Sequence, residues 1–181
     1  MRFRRQGRVA TCAIGAVLFC LLAVPVANSA SSRARVTSVS SLNAQVVREV
    51  NRVRAQRGLK PLARSSALGK AAASHSRSMA NDGYFAHESS DGSVFWQRIK
   101  AFYSPGGHRY WSVGENLVWA SPNLTAQQAV KIWMKSPPHR ANLLSSTWRE
   151  IGLSAVYSSN APGDYQDRAA TIVTADFGVR R

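Results

Sequence analysis

One acidic residue, Glu115, stands inside an apolar run of the sequence, residues 113–119. The run is rich in β-branched and aromatic residues, which favours a strand. A carboxylate in such surroundings must turn to solvent or be held by charged or hydrogen-bonding partners, because burying an unpaired charge is costly. Two histidines are candidate partners, His87 upstream and His139 downstream. Both are distant from Glu115 in sequence, so only the fold can bring the three side chains together.

Three short motifs surround these residues in a fixed order. They are Phe-x-His at 85–87, Gly-Glu-Asn-Leu at 114–117, and Trp-x-x-Ser-Pro-x-His-Arg-Ala-Asn-Leu-Leu at 133–144. Together they resemble bacterial members of the superfamily of cysteine-rich secretory proteins, antigen five and pathogenesis-related proteins, whose common unit is the CAP or SCP-like domain. The resemblance covers residues 42–179. It implies a three-layer α-β-α sandwich with a small central antiparallel sheet, but a fold does not fix a function.

The N-terminus has the pattern of a secretory signal peptide. Four arginines among the first eight residues precede an apolar segment at 10–24 and a small-residue cleavage site at 27–29. The apolar segment is shorter than the ~20 residues that span a bilayer. We therefore expect cleavage and no transmembrane anchor afterwards, with a retained anchor as the alternative. Both cysteines, Cys12 and Cys20, lie in this segment, so we expect no disulfide in the mature chain.

The predicted organisation has three parts. Residues 1–30 form the signal peptide, residues 31–41 a flexible lead-in rich in Ser and Arg, and residues 42–181 the CAP/SCP-like domain. We expect the mature protein to be secreted and to act outside the cell.

The chain is strongly basic, with a formal net charge of +15. Without the four arginines of the signal, 20 basic residues face 9 acidic ones, which leaves +11 on the mature chain. Such a surface attracts anionic cell-surface polymers or lipids; a basic surface that is merely solvated is the alternative. No basic block alternates with aromatics and no nucleic-acid-binding motif is present, so we expect no nucleic acid partner.

The periodicity of apolar residues predicts helices early in the domain and strands late, an arrangement typical of the α+β class. The predicted helices cover 42 to about 57 with Ser41 as N-cap, 65–82, 94–102, and about 124–136, the last ended by two prolines; the predicted strands cover 113–119, 151–157 and 171–177.

Two imidazoles and a carboxylate suit a divalent transition metal, and zinc in particular. We therefore predict His87 and His139 as metal ligands and Glu115 as the carboxylate of an open cleft, with Zn²⁺ as the expected cofactor if there is one. Two alternatives need no metal. Glu115 could orient an imidazole for acid–base chemistry, or it could simply link loops through hydrogen bonds. A hydrolytic triad using Ser89 or Ser136 is disfavoured, because no Gly-x-Ser-x-Gly elbow occurs.

The family resemblance implies a fuller set of cleft residues. The better-known eukaryotic relatives have two histidines and two acids there, and the three residues above match three of these positions. The second acid is expected on the helix before His139, but residues 126–136 contain none. Glu88 or Asp91 could replace it from the opposite wall.

Two other histidines are expected to lie outside the site. His75 falls on the apolar stripe of the second predicted helix, where a lone histidine is most simply a core residue, and His108 lies in an aromatic, basic loop. Neither is predicted as a ligand.

The first functional hypothesis is a secreted, non-enzymatic module that binds a ligand or metal in the cleft. One alternative is a metal-assisted hydrolase of extracellular peptide or glycan. The other, implied by lipid-binding members of the family, is a lipid- or sterol-binding protein.

Overall fold

The computed structural model describes residues 35–181. The signal-peptide prediction lies outside these residues. Among residues 35–181, none of the helices has the length and apolar content needed to cross a membrane. The elements run in the order β1 (Val36–Ser38), α1 (Ser40–Ala55), β2 (Ala63–Arg64), α2 (Ser66–Asp82), α3 (Phe95–Phe102), β3 (Trp111–Ala120), α4 (Ala126–Lys135), α5 (Pro137–Leu144), β4 (Glu150–Ala161) and β5 (Arg168–Arg180), with a short 3₁₀ turn (Gly163–Tyr165) before the last strand.

A mainly antiparallel sheet forms the middle of the domain. Its strand order is β1-β4-β5-β3, and β2 adds a short parallel pairing to the start of β4. The long strands β3 and β4 both pair with β5. This register places Glu115 of β3 directly opposite Asp176 of β5. Because alternate residues of a strand point to opposite faces, this pairing puts both acids on one face of the sheet.

Helices cover both faces of the sheet. Residues of α1, α4 and α5 share one core with Val173 and Phe177 of β5, and Trp133 of α4 is fully buried there. On the opposite face, residues of α2 pack with Leu117 and Ile172, and α3 packs on α2 through Ile99. These layers confirm the predicted α+β sandwich.

Local signals account for the bounds of α2 and α4. The Ser65 side chain accepts from the Leu68 backbone N–H at the start of α2, and Gly83 ends that helix at φ 76°, a conformation that favours glycine. At α4, Thr125 and Gln128 form a reciprocal capping box. Both helices lie within one or two residues of the predicted bounds.

The structure corrects two sequence predictions around the start of α1 and adds to a third at the end of α4. Ser41 is not the N-cap of α1, since Val39 stands before the first helical residue. The segment predicted as a flexible lead-in contains β1, because pairing with β4 satisfies its backbone groups. The two prolines after α4 do more than end it: Pro137 and Pro138 form the first turn of α5, where a missing N–H costs nothing.

Candidate functional site

Glu115 lies in the middle of β3 and is 4% exposed. It points to the face covered by α2 and α3, as do Val113 and Leu117 two residues on either side. The strand therefore carries a carboxylate into an apolar layer, and the surrounding elements must supply its partners.

Two side chains, those of His87 and Arg98, bind the Glu115 carboxylate. His87 lies in the connection between α2 and α3, and its Nδ1 is 2.8 Å from Glu115 Oε1. Arg98 of α3 donates from Nη2 to the other oxygen, Oε2. From Nη1, Arg98 also donates to the His87 carbonyl at 3.2 Å and to the Ser89 hydroxyl at 2.9 Å. One guanidinium thus holds both the carboxylate and the segment that carries its histidine.

These partners decide the charge of Glu115. Burial opposes its ionisation, but the hydrogen bond from His87 and the positive charge of Arg98 outweigh burial, so the pKa lies below its ordinary value. A carboxylate can only accept, so the Nδ1 of His87 must carry the hydrogen. The Nε2 of a neutral His87 is then an unprotonated nitrogen, and 43% of this side chain is exposed.

A buried histidine supports the His87 segment from beneath. His75 of α2 is 1% exposed, as its core prediction requires. Its Nε2 donates to the Ala86 carbonyl at 2.9 Å, one residue before His87. Burial lowers the pKa of His75 to about 4, so its ring stays neutral.

His139 is in the first turn of α5, directly after the two prolines that begin this helix. Asn116, which follows Glu115 in β3, donates to the His139 carbonyl at 3.0 Å. Asn142, one turn further along α5, donates to the Glu115 carbonyl at 3.1 Å and to Asn116 Oδ1 at 3.0 Å. Residues of the second and third motifs therefore fasten α5 to β3 and fix the start of that helix.

The two histidines face one another. The ring centroids of His87 and His139 are 6.4 Å apart. The Nδ1 of His139 is buried and has no hydrogen-bond partner among residues 35–181. Burial, with the nearby His87, lowers the pKa of His139, which favours its neutral, ligand-competent form. The fold thus brings His87, Glu115 and His139 together, and their role in ligand binding stays a prediction.

The metal prediction rests on two nitrogen donors, and it stays a prediction. Within the described part of the chain, no group of three or more His, Asp, Glu or Cys side chains is placed to hold a metal ion. Glu115 has both oxygens engaged by His87 and Arg98. The donors available to a metal are therefore Nε2 of His87 and a nitrogen of His139.

Neither candidate for the second acid joins this cluster. Glu88 and Asp91 are exposed, and the Asp91 carboxylate accepts from the Ser93 backbone N–H at 2.9 Å. His108 is also exposed.

Sequence reasoning missed two residues of the cluster, Arg98 and Asp176. Asp176 is the one acid in the apolar segment 171–177, the same signal that singled out Glu115. Arg98 precedes the buried Ile99 on α3, and that position by itself does not separate it from a solvated arginine.

The comparisons with known proteins agree with this fold and motif order. The model of the Cysteine-rich secretory protein family, CAP, matches residues 47–177. The chain belongs to the CAP family. The resemblance read from the three motifs is therefore confirmed, and all three motifs lie inside the matched range.

One curated relative of this CAP domain is Uncharacterized protein YkwD of Bacillus subtilis (strain 168). It is 35% identical over 124 residues, which are 68% of this chain and 46% of the relative. The chain thus spans about half the length of the relative it matches.

Two solved structures share the fold. An extracellular protein containing a SCP domain from Bacillus anthracis str. Ames matches at a TM-score of 0.59 and 24% identity, over 78% of this chain and 41% of that one. An outer surface protein from Borrelia burgdorferi matches at a TM-score of 0.67 and 18% identity, over 82% of this chain and 99% of that one.

Proposed function

We propose that this CAP domain works outside the cell as a non-enzymatic binding module. Its ligand would contact His87 and His139 together in the open cleft. A divalent metal ion, Zn²⁺ first, is the ligand whose chemistry suits two imidazole nitrogens. The observation that carries the proposal is the orientation of His87: Glu115 takes its Nδ1 at 2.8 Å and leaves Nε2 for a ligand.

Hydrogen bonding of this kind is what a ligating histidine needs. A carboxylate that accepts from one ring nitrogen fixes the tautomer and makes the other nitrogen a better donor to a metal. The Nδ1 of His139 has no partner within residues 35–181, and the pKa of His139 is lowered; both support a second neutral imidazole at the same place. A bound metal would supply an electrophilic centre, with the positions left by the protein open to water or a further ligand.

The extracellular location rests on two observations. The first 30 residues have a signal-peptide pattern. Two proteins of the same fold are described as extracellular and as an outer surface protein. Fractionation of cells that express the full chain should place it in the medium or at the surface, and retention in the cytosol would refute this part of the proposal.

The binding experiment is a calorimetric titration of zinc into the metal-free protein. Wild type should bind zinc. His87→Ala and His139→Ala should each lose at least about tenfold in zinc affinity, because removing a ligand should cost no less than removing a residue that only orients one. The matched control is His108→Ala, which removes an exposed histidine away from this cluster and should bind as wild type does. Equal affinities in all four proteins would refute zinc binding by the pair.

A second arm of the experiment uses Glu115→Gln and a change of pH. The amide keeps a hydrogen-bond acceptor for His87 but removes the charge, so zinc affinity should fall less than in the histidine variants. Protons compete for imidazole nitrogen, so wild-type affinity should also fall from about pH 7.5 to about pH 5.5. A pH-independent affinity would exclude histidine ligands.

A hydrolase is the second candidate, and the His87–Glu115 pair favours it. A carboxylate that orients an imidazole is half of an acid–base site. Turnover of extracellular peptides or glycans that is lost with a chelator and in His87→Ala would support this candidate, whereas binding without turnover supports the non-enzymatic module.

A further inference from the structure

Asp176 is completely buried in the middle of β5. Among the residues that the structure describes, no donor makes a hydrogen bond to either of its carboxyl oxygens. An ionised carboxylate held without donors in the interior would be far too costly to persist in a folded protein. Its surroundings therefore require the neutral acid.

The neighbouring strands show what this acid faces. Glu115 stands directly opposite on β3, and Gly152 stands opposite on β4. Residues paired in this way have Cβ atoms about 5 Å apart. A Cβ at Gly152 would lie 2.1 Å from the Gly69 nitrogen and the Leu68 carbonyl carbon of α2. Helix α2 therefore lies directly on the sheet beside Asp176 and closes it off from solvent.

Glu115 and Asp176 cannot both be ionised at low cost, since two adjacent carboxylates repel each other. The charge belongs on Glu115, because His87 and Arg98 both donate to it. Two carboxylates also have no hydrogen to share. Once Asp176 is protonated, its hydroxyl becomes a donor and Glu115 is the acceptor across the strand pair.

The electrostatic balance agrees with this geometry. Burial raises the pKa of Asp176 well above its ordinary value, the charge of Glu115 acts in the same direction, and Arg98 opposes them. The other titratable groups around the pair are His75 on α2 and His87, which both interact with Glu115. Gly152 on β4 brings no charge to this face.

We propose that Asp176 is the second acid of the cleft, a positioning residue that donates its carboxyl hydrogen to Glu115 from the neighbouring strand. Glu115 then has donors on three sides, from Asp176, Arg98 and His87. That fixes the carboxylate which orients His87. The second acid is thus supplied from β5, under the site, instead of from α4 or from the exposed acids near His87. A role of Asp176 in ligand binding rests on the proposed function of this cleft. Whether Asp176 carries a proton can be measured without a ligand.

The first experiment measures unfolding by urea of the metal-free protein between about pH 5 and about pH 8. Asp176→Asn replaces the neutral acid with an amide that has the same shape and can donate the same bond. Asp167→Asn is the matched control, because it makes the same chemical change at an exposed aspartate. The folded wild type keeps a proton that the unfolded chain, with an Asp pKa of about 3.9, has released.

The wild-type folding constant should therefore fall about tenfold per pH unit relative to that of Asp176→Asn, up to the pH at which folded Asp176 ionises. The stability of Asp176→Asn relative to wild type thus rises with pH, while that of Asp167→Asn stays level. A level or falling difference for Asp176→Asn would show that Asp176 does not hold the proton and would overturn the proposal.

The second experiment tests positioning with the nuclear magnetic resonance signal of the His87 Nδ1–H in metal-free protein. Wild type and Asp176→Asn should both show a downfield signal protected from exchange, while Asp176→Ala should lose it, because Glu115 is no longer held. A signal unchanged in Asp176→Ala would overturn the positioning role. If that variant does not fold, the pH dependence of Asp176→Asn decides alone. Because no zinc is added in either experiment, failure here is distinguishable from failure of zinc binding.

Discussion

Acidification should destabilise this domain through His75. The ring points from α2 into the core and donates to the Ala86 carbonyl. Burial there disfavours the charged form of the ring. Its folded-state pKa is about 4, whereas an unfolded histidine has a pKa of about 6.5. Between these values the unfolded chain binds a proton that the folded protein does not. Stability is therefore present above about pH 6.5 and is lost as the pH falls toward about 4.

The size of this effect follows from the two pKa values. A difference of about 2.5 pH units corresponds to roughly 3 kcal/mol of unfolding free energy. That is a large part of the about 5–15 kcal/mol that stabilises a typical domain. Because His75 holds the residue before His87, a charge on its buried ring should loosen the connection that carries His87 first.

The assay is urea unfolding of wild type and His75→Gln at several pH values from about 7 to about 4. Glutamine can still donate to Ala86 but does not titrate, so the difference between the two proteins isolates His75 from the acids and from His139. Wild type should lose roughly 3 kcal/mol more than the variant over this range. The matched control, His108→Gln, should follow wild type. If the unfolding free energies of wild type and His75→Gln change in parallel with pH, the prediction is wrong.

Three further predictions concern the ion pair, a close contact and the surface charge. Arg98→Met should cost about 3–5 kcal/mol in urea unfolding, because Glu115 loses its buried countercharge; a loss below about 1 kcal/mol would contradict this. Gly152→Ala should cost about 3 kcal/mol, the upper end for overpacking, because its Cβ would meet the backbone of α2. Gly69→Ala has open space at its own Cβ and should stabilise by up to about 1 kcal/mol; equal effects of the two substitutions would contradict this. Binding to anionic vesicles should disappear by about 1 M salt, where charges are screened beyond about 3 Å, and salt-independent binding would exclude an electrostatic origin.

The sequence predicted elements well where the signal was local. Ser65 and Gly83 mark the ends of α2, and Thr125 marks the start of α4, because each makes a hydrogen bond or adopts a conformation within a few residues. It predicted β1 poorly, because that strand is stabilised by pairing with β4 more than a hundred residues away. The prediction that the prolines at 137–138 end one helix was correct, but the same two prolines are equally compatible with the start of the next helix.

The site could be predicted in part for a similar reason. Glu115 was identifiable as an acid in an apolar strand, and the motifs supplied both histidines. Asp176 has the same sequence signal, but only the β3–β5 register places it opposite Glu115. Arg98 was not identifiable from the sequence. A buried arginine on a short helix has the same sequence pattern as a solvated one, and only the tertiary contacts distinguish them.

If His87 and His139 bind one zinc ion in common, anomalous X-ray diffraction at the zinc absorption edge should locate that ion between them. The measurement needs crystals of the mature domain grown with zinc, and crystals of His108→Ala as the control. We expect an anomalous peak between the His87 and His139 rings, within about 2.1 Å of a nitrogen of each, in both proteins. Zinc bound only at other sites, or no peak in the cleft at zinc concentrations that saturate the calorimetric titration, would contradict it.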